Sequence, residues 1–241
     1  GGKRAKAIKT EICTSAAEVT KLFNQWADGD KASAEGIIAR SAQGRIFKIK
    51  PQFNVDMAVI GFTQRSESPD QIRSLLLALI REDGKFHLVG SCGNLGTDAN
   101  RKDLYSKLKD SIKSSTFRYA SSSGAVYKFV DPKLVVEVKC TDVQSEDSSG
   151  DPIVRMTLEY SSKAGWKGLQ KLPGATMLHP VLERLRDDKV VNETDVRMSQ
   201  LQVRCLVSNL DKKAEVVQLP KSKLLKREVY TKVSKGNTGV R

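Results

Sequence analysis

The 241 residues include only two histidines, four cysteines and two tryptophans, and no long apolar run. Each scarcity excludes something. The longest apolar stretch, SLLLALI at 74–80, is strand-sized and bounded by Arg73 and Arg81. It falls far short of the roughly 18 to 20 residues that a membrane helix needs, so no membrane partner is expected. The opening GGKRAKAIK has no apolar centre and does not read as a signal peptide. Cys13, Cys92, Cys140 and Cys205 lie far apart, with no CxxC and no clustered histidines. That spacing argues against a disulfide framework or a zinc site and fits a reducing cytoplasm. With His87 and His179 as the only imidazoles, triads of nucleophile, base and orienter have few members to draw on.

Positive charge is what the chain has in excess. A formal net charge of +13 and a pI near 9.6 favour polyanions, nucleic acid first and anionic membrane second. The apolar fraction of 39% and charged fraction of 29% are those of an ordinary globular chain, long enough for one large domain or two modest ones.

Local patterns predict an α+β protein. TSAAEVTKLFNQWADGD reads as a helix, with Ser15 and Glu18 as a capping box and Asp28-Gly29-Asp30 as its stop. NVDMAVIGFTQ at 54–64 reads as a strand, and QIRSLLLALIREDGKFHLVGSC at 71–92 as a hairpin turning at Asp83-Gly84. A helix is expected over 99–115, burying Leu104, Leu108 and Ile112 and turning Lys102, Lys107, Lys109 and Lys113 outward. AVYKFVD, KLVVEVKCTDV and DPIVRMTLEY read as further strands, and this spacing suggests a small closed barrel, OB-like, after residue 52. Trp166 stands among lysines in SSKAGWKGLQK, where a loop would offer it to nucleic acid, as the lysines of 99–115 would be offered to a duplex backbone. The tail 211–241 carries nine Lys/Arg against three acids and reads as a basic extension.

AEGIIARSAQGRIFKIKP, residues 34–51, predicts two short strands around a polar turn. Residues of equal parity share a strand face, so Lys48 and Lys50 point the same way. Two ammonium groups side by side suit an anion such as a phosphate, and Glu35 at the start of the neighbouring strand suits a divalent metal or a ribose hydroxyl. Gly36 would let a ligand approach the backbone. The same residues also suit a solvated hairpin edge that uses lysine to prevent further pairing. Downstream, HPVLERLRDDK collects Arg184, Arg186 and Lys189 around acids, which taken alone is a surface strand with charge pairs.

Taken in order, EGIIAR, FKIKP and ERLRDDK resemble the fourth, fifth (K-x-K) and sixth (R-x-R-x-D-K) motifs of ATP-dependent DNA ligases, in the covalent nucleotidyltransferase superfamily. VDMAVIGFT resembles the strand that opens the family's OB domain. The resemblance covers residues 14 to about 200. It implies the end of a nucleotidyltransferase (adenylylation) domain at 1–51, an OB-fold β-barrel at 52–205 and a basic extension at 206–241. By this likeness Glu35 supports the catalytic metal, Mg2+ or Mn2+, and the nucleotidyl phosphate. Lys48 and Lys50 contact the α-phosphate of ATP and offset the charge that develops in phosphoryl transfer. Arg184, Arg186 and Lys189 orient the departing pyrophosphate, with Asp188 positioning them. A hinge near Pro51 and Gln52 would separate lysyl-AMP formation, capping of the nucleic acid and sealing.

The family's nucleophile sits in a K-x-D-G motif upstream of the fourth motif, and these 241 residues contain none. The nearest string, REDG at 81–84, has arginine, which stays protonated, and it lies downstream in a turn. The sequence therefore predicts the C-terminal catalytic portion of a DNA ligase, inactive without the N-terminal part of its own adenylylation domain, with nicked duplex DNA as partner. Two alternatives stay open: a non-catalytic basic OB module for nucleic acid, and an RNA ligase or capping-type nucleotidyltransferase.

Overall fold

The structure is a computed structural model that describes residues 8–27 and 36–202. The chain divides into two compact units, Gly1–Pro51 and Gln52–Arg241. Glu35, Cys205 and the whole basic extension fall outside the described residues.

The first unit is one helix and one hairpin. Helix α1 (Ala16–Trp26) starts at Ser15, whose hydroxyl accepts from the Glu18 N–H at 3.3 Å. The Glu18 carboxylate reaches back one residue past the cap, accepting from the Thr14 N–H at 2.7 Å. That bond holds the Glu18 carboxyl below its ordinary range, and orphan donors at the helix start are satisfied from both directions. Strands β1 (Ile37–Arg40) and β2 (Ile46–Ile49) pair antiparallel with Ile38 opposite Lys48. The turn between them closes through Ser41 N–H to Arg45 O and Gly44 N–H to Ser41 O, and Gly44 takes the left-handed φ of +79° that glycine permits.

The second unit is built on β3 (Phe53–Gln64), a bent central strand buried along most of its length. Its first half pairs with β7 (Val135–Cys140) and its second with β4 (Ile72–Ile80). The two-residue β6 (Lys128–Phe129), all that forms of the expected AVYKFVD strand, lies against Gly61. A Cβ on Gly61 would come within 2.8 Å of the Lys128 carbonyl oxygen, so that pairing requires glycine. β4 continues to β5 (Phe86–Cys92) through the REDG turn, where Gly84 has φ +74° and buried Arg81 points its Nε 3.3 Å from both Asp83 oxygens.

Helix α2 (Asp98–Leu108) is capped by Thr97 and buries Leu104 and Leu108. It is shorter than the periodicity predicts: the chain tightens into a 3-10 turn at Lys109–Ser111, and Ile112 emerges 47% exposed. Then come β8 (Asp142–Gln144), β9 (Val154–Ser161), β10 (Gly165–Pro173), β11 (Thr176–Leu178), β12 (Val181–Leu185) and the short α3 (Ser199–Gln202). The main sheet runs β10-β9-β5-β4-β3-β7-β12, and β11 pairs with β8 in a separate ribbon. The α+β class holds, but the barrel is not closed, because the end strands β10 and β12 do not pair with each other. Strand spacing alone carries no information about that last seam.

Trp166 corrects another expectation. It lies at the start of β10, fully buried, with its ring 4.9 Å from both Phe86 and Tyr160 and its indole N–H donated to Val130 O at 2.8 Å. An indole in this position is the centre of an aromatic core and has no face left for a base.

His87 on β5 is also fully buried. Burial, then the nearby Arg81 cation, pushes its pKa from 6.5 down to about 4. Between those values the unfolded chain binds a proton that the folded chain refuses, so folding stability falls as pH drops from 6.5 towards 4. This single group should remove about 2–3 kcal/mol between pH 7 and pH 4.5. In urea titrations His87→Leu should flatten the pH profile by that amount, and parallel profiles for variant and parent would contradict the assignment.

Candidate functional site

In the first unit the hairpin has two unlike faces. Ile37, Ala39 and Ile49 are half-buried on one side, while Ile38, Arg40, Ile46 and Lys48 are exposed on the other. Lys48 is thus presented to solvent by the strand pleat, and Lys50 follows one residue past β2 with its side chain exposed. Gly36 has a structural role besides the one expected. A Cβ there would lie 2.4 Å from the Ile49 carbonyl oxygen, so the glycine is needed for the second strand to close against the first, before any ligand is considered.

In the second unit the sixth-motif residues are set by strand register. Asp56 on β3 is opposite Glu137 on β7, and Glu137 is opposite Arg184 on β12. A row of two neighbouring carboxylates across a sheet is unstable without counter-charge. Arg186 supplies it, since its Nη1 is 2.8 Å from Asp56 Oδ1 and 3.7 Å from Glu137 Oε2. Its remaining edge grips Asp188 in a bidentate pair, Nε to Oδ1 at 2.9 Å and Nη2 to Oδ2 at 2.8 Å. Lys189 gives its Nζ to the other oxygen of Asp56 at 2.7 Å. The backbone of Asp56 is fixed as well: its N–H donates to Gln200 Oε1 and its carbonyl accepts from Gln200 Nε2, both at 3.0 Å.

The three cations of the motif are therefore not equivalent. The Arg186 and Lys189 side chains are 13% and 25% exposed and committed to Asp56, whereas Arg184 is 63% exposed. Arg184 uses only its Nε, at 2.6 Å from Glu137 Oε2, and its Nη donors make no hydrogen bond among the described residues. The electrostatics follow. The hydrogen bond from Arg184, helped by Asn54 and the Arg186 charge, holds the Glu137 carboxyl below its ordinary range. The grip of Arg186 holds Asp188 low, and the same bonds raise Arg186.

Sequence reasoning missed Asp56 and Glu137. The signal was present, because each is a lone carboxylate inside an apolar strand (NVDMAVIGF and LVVEVKC), and a charge in such a place needs a partner. Of the lysines expected on the helical face, Lys102 is paired with Asp70 at 3.0 Å and Lys107 with Asp103 at 3.2 Å, while Lys109 is exposed in the 3-10 turn. Among the described residues no group of three or more His, Cys, Asp or Glu could hold a metal ion. No helix among them is long and apolar enough to cross a membrane.

This division of labour predicts unequal stability effects. Arg186→Ala leaves Asp56 and Glu137 facing each other and should cost about 2–4 kcal/mol in urea unfolding. Arg184→Ala removes one bond from an exposed guanidinium and leaves the buried Glu137 carboxylate with Asn54 and Arg186, so it should cost less than about 1 kcal/mol. Equal losses would contradict the assignment.

The family described as the ATP dependent DNA ligase C terminal region matches residues 68–189, just over half of the chain, and the match ends on Lys189. No curated protein matches the chain significantly. Among solved structures, the ligase domain of LigD from M. tuberculosis is 19% identical, over 65% of this chain and 45% of that one, with a TM-score of 0.38. A mycobacterial DNA ligase D complexed with ATP and MES is 17% identical, over 60% of this chain and 38% of that one, with a TM-score of 0.36. The chain thus spans less than half the length of either. On the extent of the family match, the chain belongs to the C-terminal region of the ATP-dependent DNA ligases.

Proposed function

We propose that this chain supplies the nucleotide-phosphate ligands and the DNA-binding OB domain of a ligase that seals a 3′-hydroxyl to a 5′-phosphate at nicks in duplex DNA. ATP is the nucleotide. Attack of a lysine amine on its α-phosphorus breaks the bond to pyrophosphate and leaves AMP on the lysine, whence it passes to the 5′-phosphate and is released on sealing. The lysine belongs to a K-x-D-G segment outside these 241 residues.

Lys48 and Lys50 meet the α-phosphate and offset its developing charge. Glu35 is the carboxylate for a divalent metal, Mg2+ or Mn2+, which would supply further charge neutralisation at the phosphates. Arg184 engages the leaving pyrophosphate, while Arg186, Asp188 and Lys189 position it. Lys102, Lys107 and Lys109 follow the duplex backbone. The observation that carries the reading is the split within the sixth motif: two cations are held by Asp56, and one guanidinium at the end of the family-matched segment turns its Nη donors to solvent. Such an arrangement suits an anion that arrives and leaves. The exposed face carrying Lys48 likewise fits a phosphate.

The absence of K-x-D-G favours one rival, a basic module that binds nucleic acid without catalysis. Labelling with α-labelled ATP separates the two. A longer protein that includes the K-x-D-G segment should take label onto a lysine, and Lys50→Ala should reduce it by about 100-fold or more. Undiminished label in Lys50→Ala would remove the role of that lysine, and no label in the longer parent protein would leave the binding module. Nicked DNA, nicked RNA and capped-end substrates compared side by side fix the substrate class.

A further inference from the structure

Strand β12 carries one residue too many for its pairing with β7. Val181 lies opposite Lys139 and Leu182 opposite Val138, but the next aligned pair is Arg184 with Glu137, so Glu183 is the extra residue of a β-bulge. In an unbroken ladder Glu183 would face Glu137, and Arg184 would fall opposite Val136, which is wholly buried in the core. Residues opposite each other share a face of the sheet. The bulge therefore moves Arg184 off the core face and onto Glu137, and gives the place opposite Val136 to Leu185. It is held from β7, where Lys139 Nζ lies 2.8 Å from Glu183 Oε2.

We propose that Glu137, steadied by Asn54, is a positioning residue that sets the Arg184 guanidinium for the departing pyrophosphate; the inference rests on the ligase reading. Both Glu137 oxygens are engaged. Oε1 accepts from Asn54 Nδ2, and Oε2 accepts from Arg184 Nε at 2.6 Å. Glu137 is 8% exposed, on a strand paired along both edges, so its carboxylate is a fixed point. The bond from Arg184 is also the first cause holding the Glu137 carboxyl below its ordinary range, which keeps the acceptor ionised.

A guanidinium is planar, so an anchor at Nε restricts its plane while Nη1 and Nη2 keep their donors for an anion. The pair adds little to the fold, because Arg184 is 63% exposed and Glu137 keeps Asn54 and Arg186 without it. What it changes is the freedom of the arginine. A loose surface arginine loses rotamer freedom each time an anion arrives, whereas one already anchored has lost it on folding. Such presetting favours charge that develops during a reaction.

The test uses the longer protein that includes the K-x-D-G segment and compares two rates. Lysyl-AMP formation from ATP releases pyrophosphate; sealing of a pre-adenylylated nick does not. Glu137→Gln, which keeps the side-chain volume, should slow lysyl-AMP formation about 5- to 10-fold and leave sealing within about 2-fold. Added to Arg184→Ala, it should slow the first step no further, because Glu137 acts through that side chain. Asn54→Ala, at an exposed position, should show the same pattern with a smaller loss, and it carries the test if Glu137→Gln does not fold. In the 241-residue chain itself, the Arg184 Nε–H should exchange with water more slowly in the parent than in Glu137→Gln, read by nuclear magnetic resonance. Equal losses in both steps would make Glu137 a structural residue only, and full additivity with Arg184→Ala would separate it from Arg184. Either result overturns the proposal, as does an unchanged first step in Glu137→Gln where Arg184→Ala is slow, which leaves the ligase reading standing. Unchanged lysyl-AMP formation in Arg184→Ala would remove the role of Arg184 in that reading and this inference with it.

Discussion

Asp56 is the residue on which the charged cluster of the second unit depends. It is a carboxylate placed by register beside another carboxylate, Glu137, near the start of the central strand. Neither is tolerable there without cations. The chain meets that demand from more than 120 positions downstream, with Arg186 bridging both acids and Lys189 taking the second oxygen of Asp56. The sixth motif is in the first place the counter-ion of a sheet. Because Arg186 and Lys189 serve that purpose, Arg184 can remain extended from its strand with donors unspent.

The two lysines of the hairpin and Arg184 share a logic. Lys48 and Arg184 are displayed by strands, and Lys50 directly follows one, so the paired backbone fixes where each cation stands before any anion arrives. At the hairpin that backbone closeness depends on Gly36, where even a methyl group would strike the facing carbonyl. A glycine that looks like a ligand-approach device in the sequence serves strand closure first, and that closure sets the exposed lysine face.

How much was legible beforehand depends on distance along the chain. The helix at 16–26, its cap at Ser15, the hairpin turns and the division of charge on β1 and β2 all follow from patterns within a few residues. The partners of the sixth motif do not, because register across β3, β7 and β12 is a property of the folded sheet and no local pattern specifies it. Trp166 was misread for a related reason. Its lysine neighbours describe the outer face of β10, while the alternation of the strand turns the indole inward onto Phe86 and Tyr160. The open sheet likewise joins segments tens of residues apart.

The most direct test of the central claim is a double-mutant cycle on folding stability with Asp56→Asn and Arg186→Met, measured by urea unfolding of the full chain. If Asp56 is the anchor, the pair should show a coupling energy of about 1–3 kcal/mol, and the same cycle on Glu137 and Arg184 should show less. Additive effects at Asp56 and Arg186, within about 0.3–0.5 kcal/mol, would contradict the account.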